Sequence, residues 1–297
     1  MSIRFGVSPI AWSNDDMPEL GGDTPLNKIL GDIRDLGFVG VEMSGRFPSE
    51  PAALRALLAP WQLDLIGGWY SGALLERDAE AEIAALQPHL ERLLELGADA
   101  FVFAETSNAV HGRRDRGLRD SPRLPANAWA QFGDRMTRVA DYVEARGLRF
   151  AYHHHLGTVV ENGEDLEHLL AATGPAVRLT LDTGHAALGG IDALDTIRRH
   201  SARIAHVHCK DVRRSVHAAM LAQGASFLDG VLAGMFTVPG DGDLDFDSVA
   251  TALKAIDYSG WIVIEAEQDP AKADPRRYAE IGLATLRDAV AMAGLTT

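Results

Sequence analysis

Short apolar runs alternate with long amphipathic stretches along nearly the whole chain. The apolar runs are rich in β-branched and aromatic residues and are almost continuous, which is typical of parallel strands buried on both faces. They predict eight strands, at residues 3–8, 38–43, 63–70, 100–104, 149–155, 177–182, 204–210 and 261–267. The amphipathic stretches between these runs indicate that a helical segment follows each strand.

The stretches between the strands have helical periodicity. Apolar positions recur at three- and four-residue spacing, as in Ile83, Leu86, Leu90, Leu93 and Leu94, which form one apolar stripe. The pattern predicts helices at residues 25–36, 51–59, 78–96, 126–146, 163–172, 193–200, 246–256 and 275–293. Each predicted strand is therefore paired with the helix that comes after it.

Eight strand–helix units predict an α/β fold, a single (β/α)8 TIM barrel domain over residues 1–297, with its active site at the carboxyl ends of parallel strands. An open doubly wound sheet is the alternative, but no G-x-G-x-x-G follows the first strand. Polar residues cluster instead at the ends of several strands, as in a barrel. The long connections at 105–125 and 211–245 are expected to be lids or binding loops.

Charge and composition limit the classes of partner that this protein can bind. The chain carries 28 Lys and Arg against 42 Asp and Glu, a formal net charge of -14, which argues against nucleic acid and against an anionic membrane surface. The single cysteine, Cys209, allows no intrachain disulfide and fits a reducing compartment. With no signal peptide or spanning apolar run in the sequence, we expect a cytoplasmic protein without a membrane partner.

Imidazoles and carboxylates converge at the predicted strand ends. Strand alternation puts His153 and His155 on one face and turns His154 toward the helices. Asp182, His208 and Glu265 stand at or near the ends of the next three strands. Alternative interpretations remain open for each: a hydrogen-bonded core histidine, a helix cap for Asp182, or an arginine partner for Glu265.

Taken together, these residues predict a divalent metal site. The ligands would be Asp182, His208 and Glu265 with either His153 or His155. A buried carboxylate is costly unless it is paired or coordinates a metal. Mixed nitrogen and oxygen ligands suit Mn, Co, Zn or Fe better than Mg or Ca.

Further strand-end groups are candidates for proton transfer: His155, His185, Lys210 and Glu267. A lysine close to a cation can have a lowered pKa and act as a base, although Lys210 could also form an ordinary ion pair with Asp211. The remaining histidines have simpler interpretations. His154 is expected to be packed with a backbone partner. The loop histidines His111 and His217 could be lid residues, but the interpretation without a functional role is favoured.

The loops after the first three strands offer groups for a polyhydroxylated ligand. Trp12 and Trp69 could form apolar walls, and Asn14, Asp15 and Glu42 could hydrogen-bond to it. Trp69 could equally well pack under a loop. These five residues are the predicted substrate-binding set for a small sugar or cyclitol.

Four motifs carry a family resemblance. They are D-T-G-H at 182–185, H-x-K-D at 208–211, P-G-D-G at 239–242 and W-I-V-I-E at 261–265. Together they resemble the xylose isomerase-like sugar isomerase/epimerase superfamily, whose members are metal-dependent TIM barrels. That family usually takes Glu, Asp, His and Glu ligands from strands five to eight. Here the resemblance implies Asp182, His208 and Glu265, with His153 at the position of the fifth-strand glutamate.

Three further segments, at 9–22, 152–158 and 265–270, are similar to the inosose dehydratase family. The resemblance implies a metal-dependent lyase that dehydrates 2-keto-myo-inositol (scyllo-inosose) to a trihydroxycyclohexane-dione in inositol catabolism. It also implies manganese or cobalt, and glutathione as a further cofactor. The alternatives are a sugar or cyclitol isomerase/epimerase on the same site, a multinuclear phosphodiesterase, which the charge disfavours, and an inactive sugar-binding barrel. A homo-oligomer is plausible.

Overall fold

The computed structural model describes residues 2–297, which fold as a parallel β-barrel surrounded by helices. Each predicted strand is present, most with slightly shorter bounds. The barrel strands, called first to eighth below, are Ile3–Val7, Gly40–Val41, Asp64–Leu65 continued by Gly67–Gly72, Ala100–Glu105, Arg149–His153, Arg178–Asp182, Ile204–Cys209 and Gly260–Ile264.

The sheet closes through its third strand. The hydrogen-bonded order begins with Asp64–Leu65 and ends with Gly67–Gly72, and only Ile66 separates these two segments in the chain. Ile66 donates its N–H to the carbonyl of Val41 on one side, and its own carbonyl accepts from Ala100 on the other. One strand therefore pairs with both neighbours, and the predicted closed barrel is confirmed.

Helices cover the outside of the barrel, and all eight predicted ones are found. They are Leu26–Leu36, Pro51–Leu58, Ala79–Leu96, Trp129–Ala145, Gly163–Ala172, Ala193–Arg199, Phe246–Ala255 and Pro275–Met292. Three more were not predicted: Thr183–Gly189, Arg214–Ala222 and Phe227–Ala233. The long connection after the seventh strand is thus folded, and an antiparallel pair of short strands, Asp211–Val212 and Phe236–Thr237, joins its two ends.

The helix Ala79–Leu96 shows why these segments are helical. Asp78 caps its first turn by accepting a hydrogen bond from the N–H of Ala81 at 2.8 Å. Gly97 ends it in the left-handed conformation, with φ of 73°. Leu86, Leu90 and Leu93 lie fully buried against the barrel, so the predicted apolar stripe is the face that packs.

A second apolar cluster, called the roof cluster, is separate from the barrel core. It contains Met17, Leu156, Val212, Phe227, Leu228, Val231, Met235 and Phe236. These residues belong to the loops after the first, fifth and seventh strands, which all leave the barrel at its carboxyl end. The roof cluster therefore holds three active-site loops together by burying their apolar side chains.

Asp211 organises the connection after the seventh strand. Its fully buried carboxylate accepts from the backbone N–H groups of Val212, Gly240, Gly242 and Leu244, at 2.8 to 3.1 Å. A side chain at Gly242 would stand 2.5 Å from the Asp211 oxygen, so P-G-D-G is needed for the backbone to wrap the carboxylate. Lys210 is paired instead with Asp182, Glu265 and Glu267, so the alternative of an ordinary ion pair between Lys210 and Asp211 is not found among the described residues.

Within residues 2–297, none of the helices combines the length and the apolar character needed to cross a lipid bilayer.

Candidate metal centre and active-site cavity

Four side chains from consecutive strands meet at the carboxyl end of the barrel. One ligand atom each from His153, Asp182, His208 and Glu265 lies within 4.8 Å of the others. Nε2 of His153 is 3.8 Å from Oδ2 of Asp182 and 3.9 Å from Oε2 of Glu265. Nδ1 of His208 is 3.7 Å from the same Asp182 oxygen and 2.6 Å from the same Glu265 oxygen. The structure thus groups His153, not His155, with the other three residues.

The atoms facing the centre of this cluster suit a cation. Oδ2 of Asp182 is buried and has no hydrogen-bond partner among the described residues. Nδ1 of His208 and Oε2 of Glu265 are buried too, and although they lie 2.6 Å apart they are not aligned for a hydrogen bond. An unsatisfied buried polar atom costs about 1–3 kcal/mol, and three directed at one point are best explained by a ligand that satisfies all of them. Two nitrogens and two oxygens match the donor preferences of Mn, Co, Zn and Fe.

Hydrogen bonds fix which nitrogen each histidine presents. Nδ1 of His153 lies 2.8 Å from the carbonyl of His154, and because a carbonyl can only accept, Nδ1 carries the hydrogen. Nε2 of His153 therefore directs a lone pair at the cluster. In His208 the roles are reversed, since Nε2 lies 3.0 Å from Oε1 of Glu42 and donates to it. Such partners orient metal-binding imidazoles.

Glu42 supports two histidines at once, because its Oε1 also accepts from Nε2 of His206 at 2.8 Å. Burial would raise the pKa of Glu42, but His208 and His206 lower it to about 2. A charged carboxylate therefore stands behind His208. Glu42 was predicted to bind substrate; one of its oxygens is taken by these histidines, and a substrate contact stays a prediction.

Asp182 has two roles, one for each oxygen. Oδ1 accepts from the N–H of His185 at 2.7 Å and caps the helix Thr183–Gly189, while Oδ2 faces the cluster. The helix-cap interpretation and the metal interpretation are therefore compatible. The cap also holds the carboxylate in a fixed orientation.

A second cluster adjoins the first and contains the predicted proton-transfer residues. His155, His185 and Glu267 each offer a ligand atom within 4.8 Å of the others. Nζ of Lys210 lies among them, 3.0 Å from Nε2 of His185 and 3.1 Å from Oε2 of Glu267. It is also 3.7 Å from Oδ2 of Asp182 and 3.6 Å from Oε2 of Glu265. Lys210 therefore joins the two clusters.

Charge pairing sets the ionisation of this second cluster. Burial would lower the pKa of Lys210, but the carboxylates of Asp182, Glu265 and Glu267 raise it above its usual value. The carboxylates thus outweigh burial, and the lowered pKa considered for a lysine beside a bound cation stays a prediction. Burial would raise the pKa of Glu267, and the charge of Lys210 lowers it instead.

A cavity of about 130 Å³ opens beside both clusters. Its walls are Ser8, Ile10, Asp15, Asp16, Glu42, Met43, Trp69, Ser71, Val102, His111, His155, His208, Glu265 and Glu267. Trp69 is 36% exposed, and its ring stands edge-on to those of His153 and His155 at 5.3 and 5.4 Å. Trp69 thus forms a wall of the cavity and is not packed under a loop.

Comparison with known proteins agrees with the architecture. Residues 30–289 match the model of the xylose isomerase-like TIM barrel family. The chain belongs to this family. The structure of an L-ribulose 3-epimerase has a TM-score of 0.70 at 17% identity, covering 99% of this chain and 96% of that one, a likeness that shows the shared fold.

Two curated relatives are similar over nearly their full length. One, named rhizopine catabolism protein MocC, from Rhizobium meliloti, is 45% identical over 99% of this chain and 90% of its own. Another, named inosose dehydratase, from Geobacillus thermodenitrificans (strain NG80-2), is 39% identical over 93% of this chain and 94% of its own. The xylose isomerase-like family and the inosose dehydratase resemblance predicted from the motifs are confirmed.

Two residues that were predicted to bind substrate, Trp12 and Asn14, are not on the cavity wall. Trp12 is buried, and its Nε1 donates to Asp32 at 3.1 Å. Asn14 is also buried, and its Oδ1 accepts from the N–H groups of Asp16 and Met17, both at 2.8 Å. Nε1 of Trp12 and Oδ1 of Asn14 are therefore already paired within the protein, and both side chains support the first loop from inside.

Asp15 does line the cavity, and one of its oxygens accepts from the N–H of Gly45 at 3.1 Å. His154 is buried as expected, yet its ring nitrogens have no hydrogen-bond partner among residues 2–297. The hydrogen bond to the backbone that was expected for His154 is therefore not formed among the described residues.

Two titratable residues of the cavity wall were not predicted. Asp16 reaches the cavity from the first loop, where burial and the charge of Glu267 raise its pKa to about 6. His111 reaches it from the loop after the fourth strand, with its ring 4.9 Å from that of His155. Burial and the charge of His155 lower the pKa of His111 to about 3. The doubled aspartate at 15–16 was the one sequence signal for Asp16.

Proposed function

We propose that this chain is a metal-dependent inosose dehydratase, a hydro-lyase that converts 2-keto-myo-inositol to a trihydroxycyclohexane-dione. The observation that carries the proposal is near-full-length similarity to inosose dehydratases, joined to a four-residue metal cluster beside a cavity. The donor set supports manganese or cobalt as the ion.

His153, Asp182, His208 and Glu265 would hold the ion. When bound, it supplies Lewis-acid polarisation of a ketone and its neighbouring hydroxyl, which acidifies the hydrogen on the adjacent carbon. The chain itself must supply a base for that hydrogen and an acid for the departing hydroxyl. Both must reach the cavity, which leaves few groups to choose from.

Glu267 is the group best placed to act as the base. It lines the cavity, and its Oε2 is engaged by Lys210 at 3.1 Å. Its other oxygen, Oε1, is 3.9 Å from Nε2 of His155 and is available to accept a hydrogen. A salt bridge on one oxygen holds the carboxylate in position while the other receives the proton.

The acid is assigned to Asp16 or His155, which both line the cavity. With a pKa of about 6, Asp16 is partly protonated near neutral pH and can donate. In the reaction the base takes the hydrogen of the carbon beside the ketone, and the C–H electrons form a double bond. The next carbon loses its hydroxyl as water with the donated proton, and the resulting enol becomes the second carbonyl.

The first test is turnover of 2-keto-myo-inositol by the purified protein with Mn²⁺ or Co²⁺, with and without glutathione. We expect the absorbance of the dione to appear. Recovery of a stereoisomer without loss of water would instead establish the sugar or cyclitol epimerase. No reaction with either ion would overturn the proposal.

A pair of capping variants tests the metal cluster. Asp182→Ala removes a helix cap together with a proposed ligand, and we expect loss of both bound metal and turnover. Asp192→Ala is the matched control, because Asp192 caps the helix Ala193–Arg199 by accepting from the N–H of Asp195 at 2.9 Å. Asp192 belongs to none of the three groups of metal-type side chains found among the described residues. The control variant should keep both properties.

A further inference from the structure

The second cluster has the composition of a metal site of its own. Two imidazoles and a carboxylate, from His155, His185 and Glu267, converge as closely as the four residues of the first cluster. All three are buried. Nδ1 of His155 lies 2.7 Å from the carbonyl of Leu156 and must donate to it, so that in the neutral ring Nε2 carries a lone pair, as in His153.

The ammonium of Lys210 contacts two of the three side chains of that cluster. It contacts Nε2 of His185 and Oε2 of Glu267 at hydrogen-bond distances, 3.0 and 3.1 Å. These are longer than the roughly 2.0–2.2 Å of metal bonds to nitrogen and oxygen. Two of the three ligand-type side chains, those of His185 and Glu267, are therefore spaced for a nitrogen cation, and a second metal ion that took them as ligands would have to displace it.

The fold holds Lys210 in that position. A Cβ at Gly184 would stand 2.7 Å from Cγ of Lys210, so the D-T-G-H glycine leaves room for the lysine stem. The ring of Phe236 lies 4.7 Å from Nζ on another side. Thr183 accepts from the backbone N–H of Lys210 at 3.0 Å. Lys210 is fully buried and is fixed by packing on several sides.

We propose that Lys210 supplies a second, built-in cation, so that the site takes one metal ion and one fixed ammonium where a dinuclear centre takes two ions. The inference rests on the proposed metal cluster. Its consequence for the reaction concerns Glu267. A metal would claim this carboxylate as a ligand, whereas the ammonium binds one oxygen and leaves the other facing the cavity.

Metal stoichiometry tests the inference without measuring turnover. The probe is Mn²⁺ alone, counted by elemental analysis after equilibration and by titration with electron paramagnetic resonance detection. We expect one equivalent in the wild type even at high Mn²⁺. Lys210→Ala should bind two, with the spin coupling of neighbouring ions, and Lys210→Ala combined with Glu267→Ala should return to one.

The outcomes separate the two proposals. No Mn²⁺ in the folded wild type would reject the metal cluster itself. Two equivalents in the wild type, or one in folded Lys210→Ala, would reject the role of Lys210 and leave the dehydratase proposal standing. Lys210→Gln retains most of the side-chain volume without the charge. It serves as the second variant if Lys210→Ala does not fold, with the same expectation of two equivalents.

Discussion

Replacing Glu42 by glutamine tests how far metal affinity depends on the carboxylate behind His208. Glutamine has nearly the same shape, and its oxygen can still accept from Nε2 of both His208 and His206, which now lie 3.0 and 2.8 Å from Oε1. What the variant loses is the negative charge. Because that charge stabilises the imidazole as it donates to a cation, Glu42→Gln isolates the electrostatic part of the support.

The size of the effect follows from the bond to His208. A hydrogen bond to a charged group contributes about 1.5–3 kcal/mol, and one between neutral groups about 1 kcal/mol. The difference, about 0.5–2 kcal/mol, corresponds to a roughly 2- to 30-fold weaker affinity for Mn²⁺. Loss of an outer partner of a ligand has typical costs of about 10- to 100-fold, which overlaps this range.

The assay is calorimetric or competition titration of the metal-free protein with Mn²⁺, with turnover measured at limiting and saturating metal. Turnover of Glu42→Gln should recover at saturating Mn²⁺. Glu105→Gln is the matched control. Glu105 is a buried glutamate at the end of the fourth strand, and its hydrogen bonds go to Leu74 and Ser107. Mn²⁺ affinity of Glu42→Gln within twofold of the wild type would refute the reasoning.

Three further predictions concern the cavity and its supports. The folded-state pKa of Asp16, about 6 against an ordinary 3.8, means that its charge disfavours folding. Below pH 3.8 the carboxyl group is protonated in both states and does not lower the free energy of unfolding, whereas the full penalty is present above pH 6. Asp16→Asn should therefore raise Tm at pH 8 but not at pH 3. Equal Tm values for the two proteins at pH 8 would contradict this. Gly184→Ala should lower the free energy of unfolding by about 1–3 kcal/mol, because the new Cβ would clash with Lys210. Urea unfolding would measure this, with Gly163→Ala as the control, since a Cβ there meets nothing closer than 3.9 Å. Trp69→Ala should raise KM at least severalfold with a smaller change in kcat, since it removes a wall and no proton-transfer group; an unchanged KM would argue against the wall.

Periodicity was sufficient to predict the barrel and the first cluster. In a strand every second residue shares a face, and the carboxyl ends of parallel strands meet at one rim. These two rules alone bring Asp182, His208 and Glu265 together and exclude His154. They could not choose between His153 and His155, because both share the face. The structure separates them since the strand ends at His153 and His155 continues into the loop beside His185.

The loops were harder to predict, because their paths depend on contacts that no local pattern encodes. Trp12 looked like a ligand platform, but its ring nitrogen pairs with Asp32 in the first outer helix. His111 looked unimportant in a long loop until folding brought it beside His155. The helix beginning at Thr183 was not predicted, because the sequence has glycines at 184, 189 and 190, and glycine normally disfavours helices.

The separation of the roof cluster from the barrel core has a consequence for how such a protein can change. Apolar substitutions among Met17, Phe227 and Phe236 would alter the shape above the cavity while the barrel interior stays filled as before. Substitutions in the roof cluster could therefore change which ligands bind, with little effect on the stability of the barrel. Phe227 and Phe236 are the exceptions, because the ring of Phe227 lies 5.2 Å from that of His155 and the ring of Phe236 lies 4.7 Å from Nζ of Lys210. At these two positions a change of specificity would come with a change of chemistry.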